Sequence, residues 1–164
     1  YWHPEIGFNY RMTNVAAAIG VAQMERIEDL LQRRRQVADW YFGHLEPYQD
    51  YLQLPYAAEW AEHSYWMYTV LIRQSVDVDR DQLMLALQDR GIETRPVFYP
   101  VHWMPPYQRY SGYFPVADDC SSRGMNLPTH GRLSEEDVAY VCEHLLQAMQ
   151  EVRTQRRSSV RRAA

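Results

Sequence analysis

Two short stretches hold the residue types that chemistry needs. In "GFNYRMTN", Gly7 to Asn14, an amide and a guanidinium, Asn9 and Arg11, stand just before a run of strong helix formers. A helix start has free N–H groups and the positive end of the helix dipole, so it favours anions. Arg11 would add a forked, permanently charged donor, making a phosphate or carboxylate site. The other reading is that Asn9 and Arg11 only tie down the loop. In "ETRPVFYPVH", Glu93 to His102, Arg95 precedes Pro96 and Tyr99 precedes Pro100. Residues before proline are biased to extended backbone, where alternate side chains share a face. Arg95, Val97 and Tyr99 are therefore expected to point one way, with His102 just beyond. Arg95 suits a phosphate, carboxylate or sugar hydroxyl, Tyr99 stacks or hydrogen-bonds, and His102 donates or accepts near neutral pH. The prolines lower the entropic cost of holding such a loop ready. A rigid structural loop covering a core edge fits the same residues.

Other chemistry is excluded by composition. All 17 basic residues are arginine, so no side chain here can form a Schiff base with a carbonyl. The other histidines, His3, His44, His63, His130 and His144, are scattered, no CxxC occurs, and no metal-ligand spacing emerges. Two cysteines, Cys120 and Cys142, make no disulfide framework, which points to a reducing compartment. The net charge of −4 argues against a nucleic-acid partner. No apolar run is long enough to span a bilayer, and "YWHPEIGF" is not a signal peptide. Thirteen tyrosines and five tryptophans suit either an aromatic cleft or a core of large side chains. The chain starts with Tyr1, not methionine, and reads as a piece of something longer.

The elements that must position these residues form a compact α/β unit, of α+β character, with a small sheet. An incoming loop, residues 1–12, leads to one long helix, capped by Thr13 or Asn14 and running to about Leu45. Its start, Ala16, Ala17, Ala18 and Gly20, is thin enough for close approach by another backbone. After an irregular connector over 46–62, "SYWMYTVLIR" (Ser64 to Arg73) is β-branched and aromatic and predicts a strand. A helix over Asp79 to Gly91 follows, then extended "IETRP", an aromatic loop over 97–114, a helix near Val116 to Arg123 and a strand "GMNLP". Asp118 and Asp119 are read as decorating that helix start. Ser134 with Asp137 resembles a capping box opening a final helix to about Glu151. The main unit thus covers 13–151, and 152–164 is expected to be a basic, frayed or disordered tail. That tail could touch an anionic partner or simply be solvated.

The same stretches carry a family resemblance. "YWHPEIGFNYRMTNVAAAIGVAQMERI", "IETRPVFYPVHWMPPY" and "RGMNLPTHGRLSEEDV" resemble segments of the DegT/DnrJ/StrS sugar aminotransferases, over essentially residues 1–150. The resemblance implies the C-terminal small domain of a type I pyridoxal-phosphate-dependent transferase fold, with the long helix leading into it. It implies a homodimer whose sites lie at the subunit interface, and a cofactor lysine in a larger N-terminal domain outside this chain. Asn9 and Arg11 would then reach the phosphate of pyridoxal 5'-phosphate (PLP) in the neighbouring subunit. Arg95, Tyr99 and His102 would line the nucleotide-sugar or amino-donor site. No catalytic residue and no metal ligand is assigned to this chain. The implied activity is cytoplasmic transfer of an amino group from glutamate to a 4-keto-6-deoxy sugar nucleotide. Alternatives are a PLP-dependent dehydratase sibling, with histidine replacing the lysine, or a non-catalytic truncated module. One departure, "PTHGRLS", is expected to change a turn and to lose no chemistry.

Overall fold

The computed structural model describes residues 2–110 and 112–163, with the backbone alone at 157 and 159–163. Four short strands, β1 (Leu52–Gln53), β2 (Tyr68–Ile72), β3 (Arg95–Pro96) and β4 (Gly124–Leu127), form one antiparallel sheet in the order β1-β2-β4-β3. Three helices cover one face: α2 (Ile27–Leu45), α3 (Arg80–Gln88) and α5 (Glu135–Ala163). α1 (Asn14–Met24) precedes them, and α4 (Pro115–Arg123) leads into β4.

The strand register explains the layering. Tyr68, Val70 and Ile72 alternate with Thr69 and Leu71, and β4 opposes them with Leu127, Met125, Asn126 and Gly124. One face thus collects Leu52, Tyr68, Val70, Ile72, Met125 and Leu127, all buried. Onto it α2 brings Val37, Ala38, Tyr41 and Leu45, and α5 brings Val138, Val141, Cys142, Leu145, Ala148, Met149 and Val152. These spacings are the stripes of amphipathic helices. Burial pushes the Cys142 thiol up to about 12, so it packs as a small hydrophobe rather than reacting.

Several boundaries differ from the sequence expectation. The long N-terminal helix is two helices, broken at Glu25 and Arg26, where the Arg26 amide turns back to the Gln23 carbonyl at 3.1 Å. Glu28 and Asp29 then stand in the first turn of α2, where a new N-terminus favours acids. β2 starts at Tyr68 rather than Ser64, because Tyr65 adopts φ 46°, and its amide turns to His63 Nδ1 at 2.8 Å. The loop after β3 winds into two 3-10 turns, Val101–Trp103 and Pro105–Tyr110. β1 was not anticipated; two residues carry no periodicity. α5 does not stop at Glu151 but continues to Ala163. No glycine or proline interrupts this stretch, Thr154 and Ser158 donate back to the Gln150 and Thr154 carbonyls, and Arg156 pairs with Asp77 at 3.0 Å.

Other local signals match the structure. Asp79 caps α3 by accepting from the Gln82 amide, and Gly91 just past it takes φ 74°, the left-handed turn that favours glycine. Ser134 and Asp137 cap α5 reciprocally: the Ser134 amide donates to Asp137 Oδ2 at 2.8 Å and the Asp137 amide donates to Ser134 Oγ at 3.2 Å. The backbone bond from Ser134, then that from its hydroxyl, hold the Asp137 carboxyl below the usual carboxylate range. This contribution is therefore complete above the ordinary carboxylate pKa and is lost as pH falls through the lowered one.

Two tyrosines stacked in the core, Tyr41 and Tyr68, with centroids 4.6 Å apart, make a paired test. Tyr41 Oη donates to the Pro128 carbonyl at 2.8 Å, whereas Tyr68 Oη is buried with no partner among the described residues. Tyr41→Phe should lower unfolding free energy by about 1 kcal/mol, the worth of one such bond. Tyr68→Phe should leave it unchanged or raise it, as read by urea denaturation. A second test is Gly124→Ala. An added Cβ would lie 2.4 Å from the Cys120 carbonyl oxygen, 2.5 Å from Val97 Cγ2 and 2.8 Å from Leu71 Cδ2. Destabilisation of about 1–3 kcal/mol is expected in the same measurement.

Candidate functional site

At the chain start, Asn9 Oδ1 accepts from the Arg11 amide at 2.8 Å. Arg11 takes φ 61°, a left-handed conformation uncommon for a non-glycine residue. Thr13 Oγ1 then caps α1 by accepting from the Ala16 amide at 3.2 Å. Asn9 therefore shapes the turn with its carbonyl oxygen. The Arg11 guanidinium is exposed and makes no hydrogen bond or ion pair among the described residues. A cation with no protein acceptor, one turn before a helix N-terminus, is an arrangement suited to an anion.

The helix behind it is unusual. None of α1's residues is buried, and Val15, Ile19, Val21 and Met24 are 60–73% exposed. Gly20 has nothing within 4 Å of where its Cβ would lie. The thin surface noted in the sequence is therefore open. A helix apolar on all sides belongs to a buried position, and the described residues leave α1 uncovered.

Arg95, Tyr99 and His102 each meet different neighbours. Arg95 lies on β3 opposite Asn126, with its side chain 57% exposed and Nη2 donating to Glu93 Oε1 at 3.3 Å. It lines a cavity of about 670 Å³ together with Arg34, Trp66, Asn126, His130 and Tyr140. Tyr99 meets Trp2 edge to face, with centroids 5.8 Å apart. His102 turns toward α4: its Nε2–H donates to Asp118 Oδ1 at 2.9 Å, and its ring tilts against Phe114 at 4.8 Å. Pro100 and the turn at Val101–Trp103 end the extended run after Tyr99, and His102 lies beyond it.

The Trp2–Tyr99 contact ties the incoming chain start, five residues before "GFNYRMTN", to the second stretch. Sequence reasoning missed Arg34, Trp66 and Asn126, which lie far from Arg95 in the chain and carry no local signal. It also treated Asp118 as decoration of a helix start. Asp118 does stand in the first turn of α4, but it also holds His102. Beside it, Arg123 and then Gln74 hydrogen-bond the Asp119 carboxyl and hold it below its usual range. At "PTHGRLS", the Leu133 amide closes a turn onto the His130 carbonyl at 3.2 Å.

Residues 1–146 match the model of the DegT/DnrJ/EryC1/StrS aminotransferase family. The chain belongs to this family. It is 44% identical over 145 residues to the GDP-perosamine synthase of Escherichia coli O157:H7, covering 88% of this chain and 38% of that protein. It is 43% identical over 150 residues to the GDP-perosamine synthase of Caulobacter vibrioides, covering 91% and 40%. Among solved structures, the aminotransferase TlmJ from Streptoalloteichus hindustanus superposes with a TM-score of 0.73 at 31% identity, over 84% of this chain and 36% of that one. The family fold is therefore the one described here. The chain spans about two-fifths of the length of the curated relatives it matches. No helix among the described residues is long and apolar enough to cross a membrane.

The His102–Asp118 bond joins the 97–114 loop to α4. Asp118→Ala should release it. Hydrogen exchange at the Trp103, Met104 and Tyr107 amides is expected to quicken several-fold, with β2 and β4 unchanged. Equal protection in variant and parent would show that the prolines alone hold the loop.

Proposed function

We propose that this chain is the C-terminal part of a cytoplasmic, PLP-dependent nucleotide-sugar aminotransferase of the perosamine type. The whole enzyme would take an amino group from glutamate and deliver it to GDP-4-keto-6-deoxymannose, for polysaccharide or O-antigen synthesis. The identity of 44% and 43% to two GDP-perosamine synthases carries this reading. PLP, when bound, supplies the electron sink of transamination.

This chain's own residues have supporting parts. Arg11, without a partner among the described residues and beside a helix N-terminus, fits the cofactor phosphate of a neighbouring subunit in a homodimer, with Asn9 shaping the turn that aims it. The exposed apolar α1 is suited to that interface. Arg95 and Tyr99 form part of the wall facing the nucleotide sugar, and His102 serves that wall through its bond to Asp118. The residue that bonds covalently to the cofactor must come from outside this chain, which has no lysine.

The test uses this chain joined to its lysine-bearing large domain. The joined enzyme is expected to form the amino sugar from glutamate, and the chain alone to form none. Arg11→Ala should weaken PLP retention about tenfold or more, as loss of a charge-assisted bond implies. Turnover by the chain alone, or a product short of one water and carrying no new amine, would overturn the reading.

A further inference from the structure

We infer that the small domain carries a binding site for a small monocarboxylate with an apolar ring or branched body, between α5 and the segments flanking β1 and β2. A cavity of about 300 Å³ opens there, walled by Tyr48 and Tyr51 after α2, Val78 before α3, and Met149 and Arg153 on α5. That volume is at the low end of small-ligand pockets. None of these residues belongs to the site described above.

The decisive feature is Arg153. It stands four residues after Met149, one turn further along the same helix face. Its Nε is buried and has no hydrogen-bond partner among the described residues. Buried donors in folded proteins are normally paired, and an unpaired N–H of a charged group is the more costly case. Three other arginines of this domain are satisfied. Arg90 grips Glu151 through two bonds of 2.7 and 2.8 Å, Arg123 holds Asp119 at 2.6 Å, and Arg80 donates to two carbonyls. The acid beside the cavity, Asp77, is already held by Arg156 at 3.0 Å and does not compete. The acceptor side chains that line the cavity, Gln150 and the two tyrosines, are uncharged, and a carboxylate supplies a charged acceptor. The apolar floor at Val78 and Met149, flanked by two tyrosine rings, sets the other half of the ligand. It takes a phenyl or branched alkyl group, whose burial is favourable.

Benzoate is the probe, and the methyl resonances of Met149 and Val78 are the readout. Benzoate should shift both saturably, with Kd roughly 1 mM or tighter, as a fragment of this size reaches. Benzyl alcohol, of the same shape without charge, should bind at least about tenfold more weakly, as should benzoate to Arg153→Gln. A thermal melt checks that this variant is folded. Val78→Phe, which fills the cavity and keeps Arg153, should abolish the Met149 shift. No methyl shift in the parent chain, equal affinity for the alcohol, or unchanged binding in either variant would overturn the assignment.

Discussion

The absent side chain at Gly124 is the constraint on which the rest of this domain depends. Where its Cβ would stand, the Cys120 carbonyl, Val97 and Leu71 already approach to less than 3.0 Å. The close packing lets α4 turn directly into β4, with no connecting loop. It also brings β3 and the residue after it onto β4, where the Val97 amide bonds the Gly124 carbonyl at 3.1 Å. β4 is buried along all four residues and is the strand that both β2 and β3 pair with. Arg80 and Arg123 then fasten the same corner, through the carbonyls of Ser121, Gly124 and Ile72. The position of Arg95, two pairs along from this corner, follows from that packing.

The two ends of the chain use apolar surface in opposite ways. α2 and α5 turn one stripe each toward a closed core, and their charged faces stay in water. α1 offers apolar residues in every direction and buries none. Left in water, such a surface favours association. The family relationship gives this a physical sense, since the relatives are more than twice as long as this chain. A helix that is a liability by itself is an ordinary interior helix once its surroundings are added.

Arginine supplies every cation in the chain, and the structure divides them by task. Arg80, Arg90 and Arg123 are structural, spending their planar forks on carbonyls and carboxylates. Arg11 is presented outward by a strained backbone, at the end of the chain where apolar surface also waits. His102, a group able to exchange protons, is committed to an internal carboxylate at 2.9 Å. It shapes the loop rather than standing free.

Much of this protein was legible in its residues alone. Signals that act over a few positions survive folding unchanged: the Asp79 cap, the left-handed Gly91 and the reciprocal Ser134–Asp137 box. So do helix stripes and the alternation of β2, because they repeat. The missing lysine, a fact of composition, already ruled out a Schiff base on any side chain of this chain, and the "GFNYRMTN" stretch already carried its exposed cation. Tertiary structure decided the rest. It split the first helix at Arg26, paired a two-residue β1, and carried α5 on to Ala163. It also divided Arg95, Tyr99 and His102 among a cavity wall, Trp2 and Asp118. The physical reason is range. A cap or a stripe is an energy among neighbours in sequence, whereas the partner of Arg95, Tyr99 or His102 is set by which distant segments the core draws together.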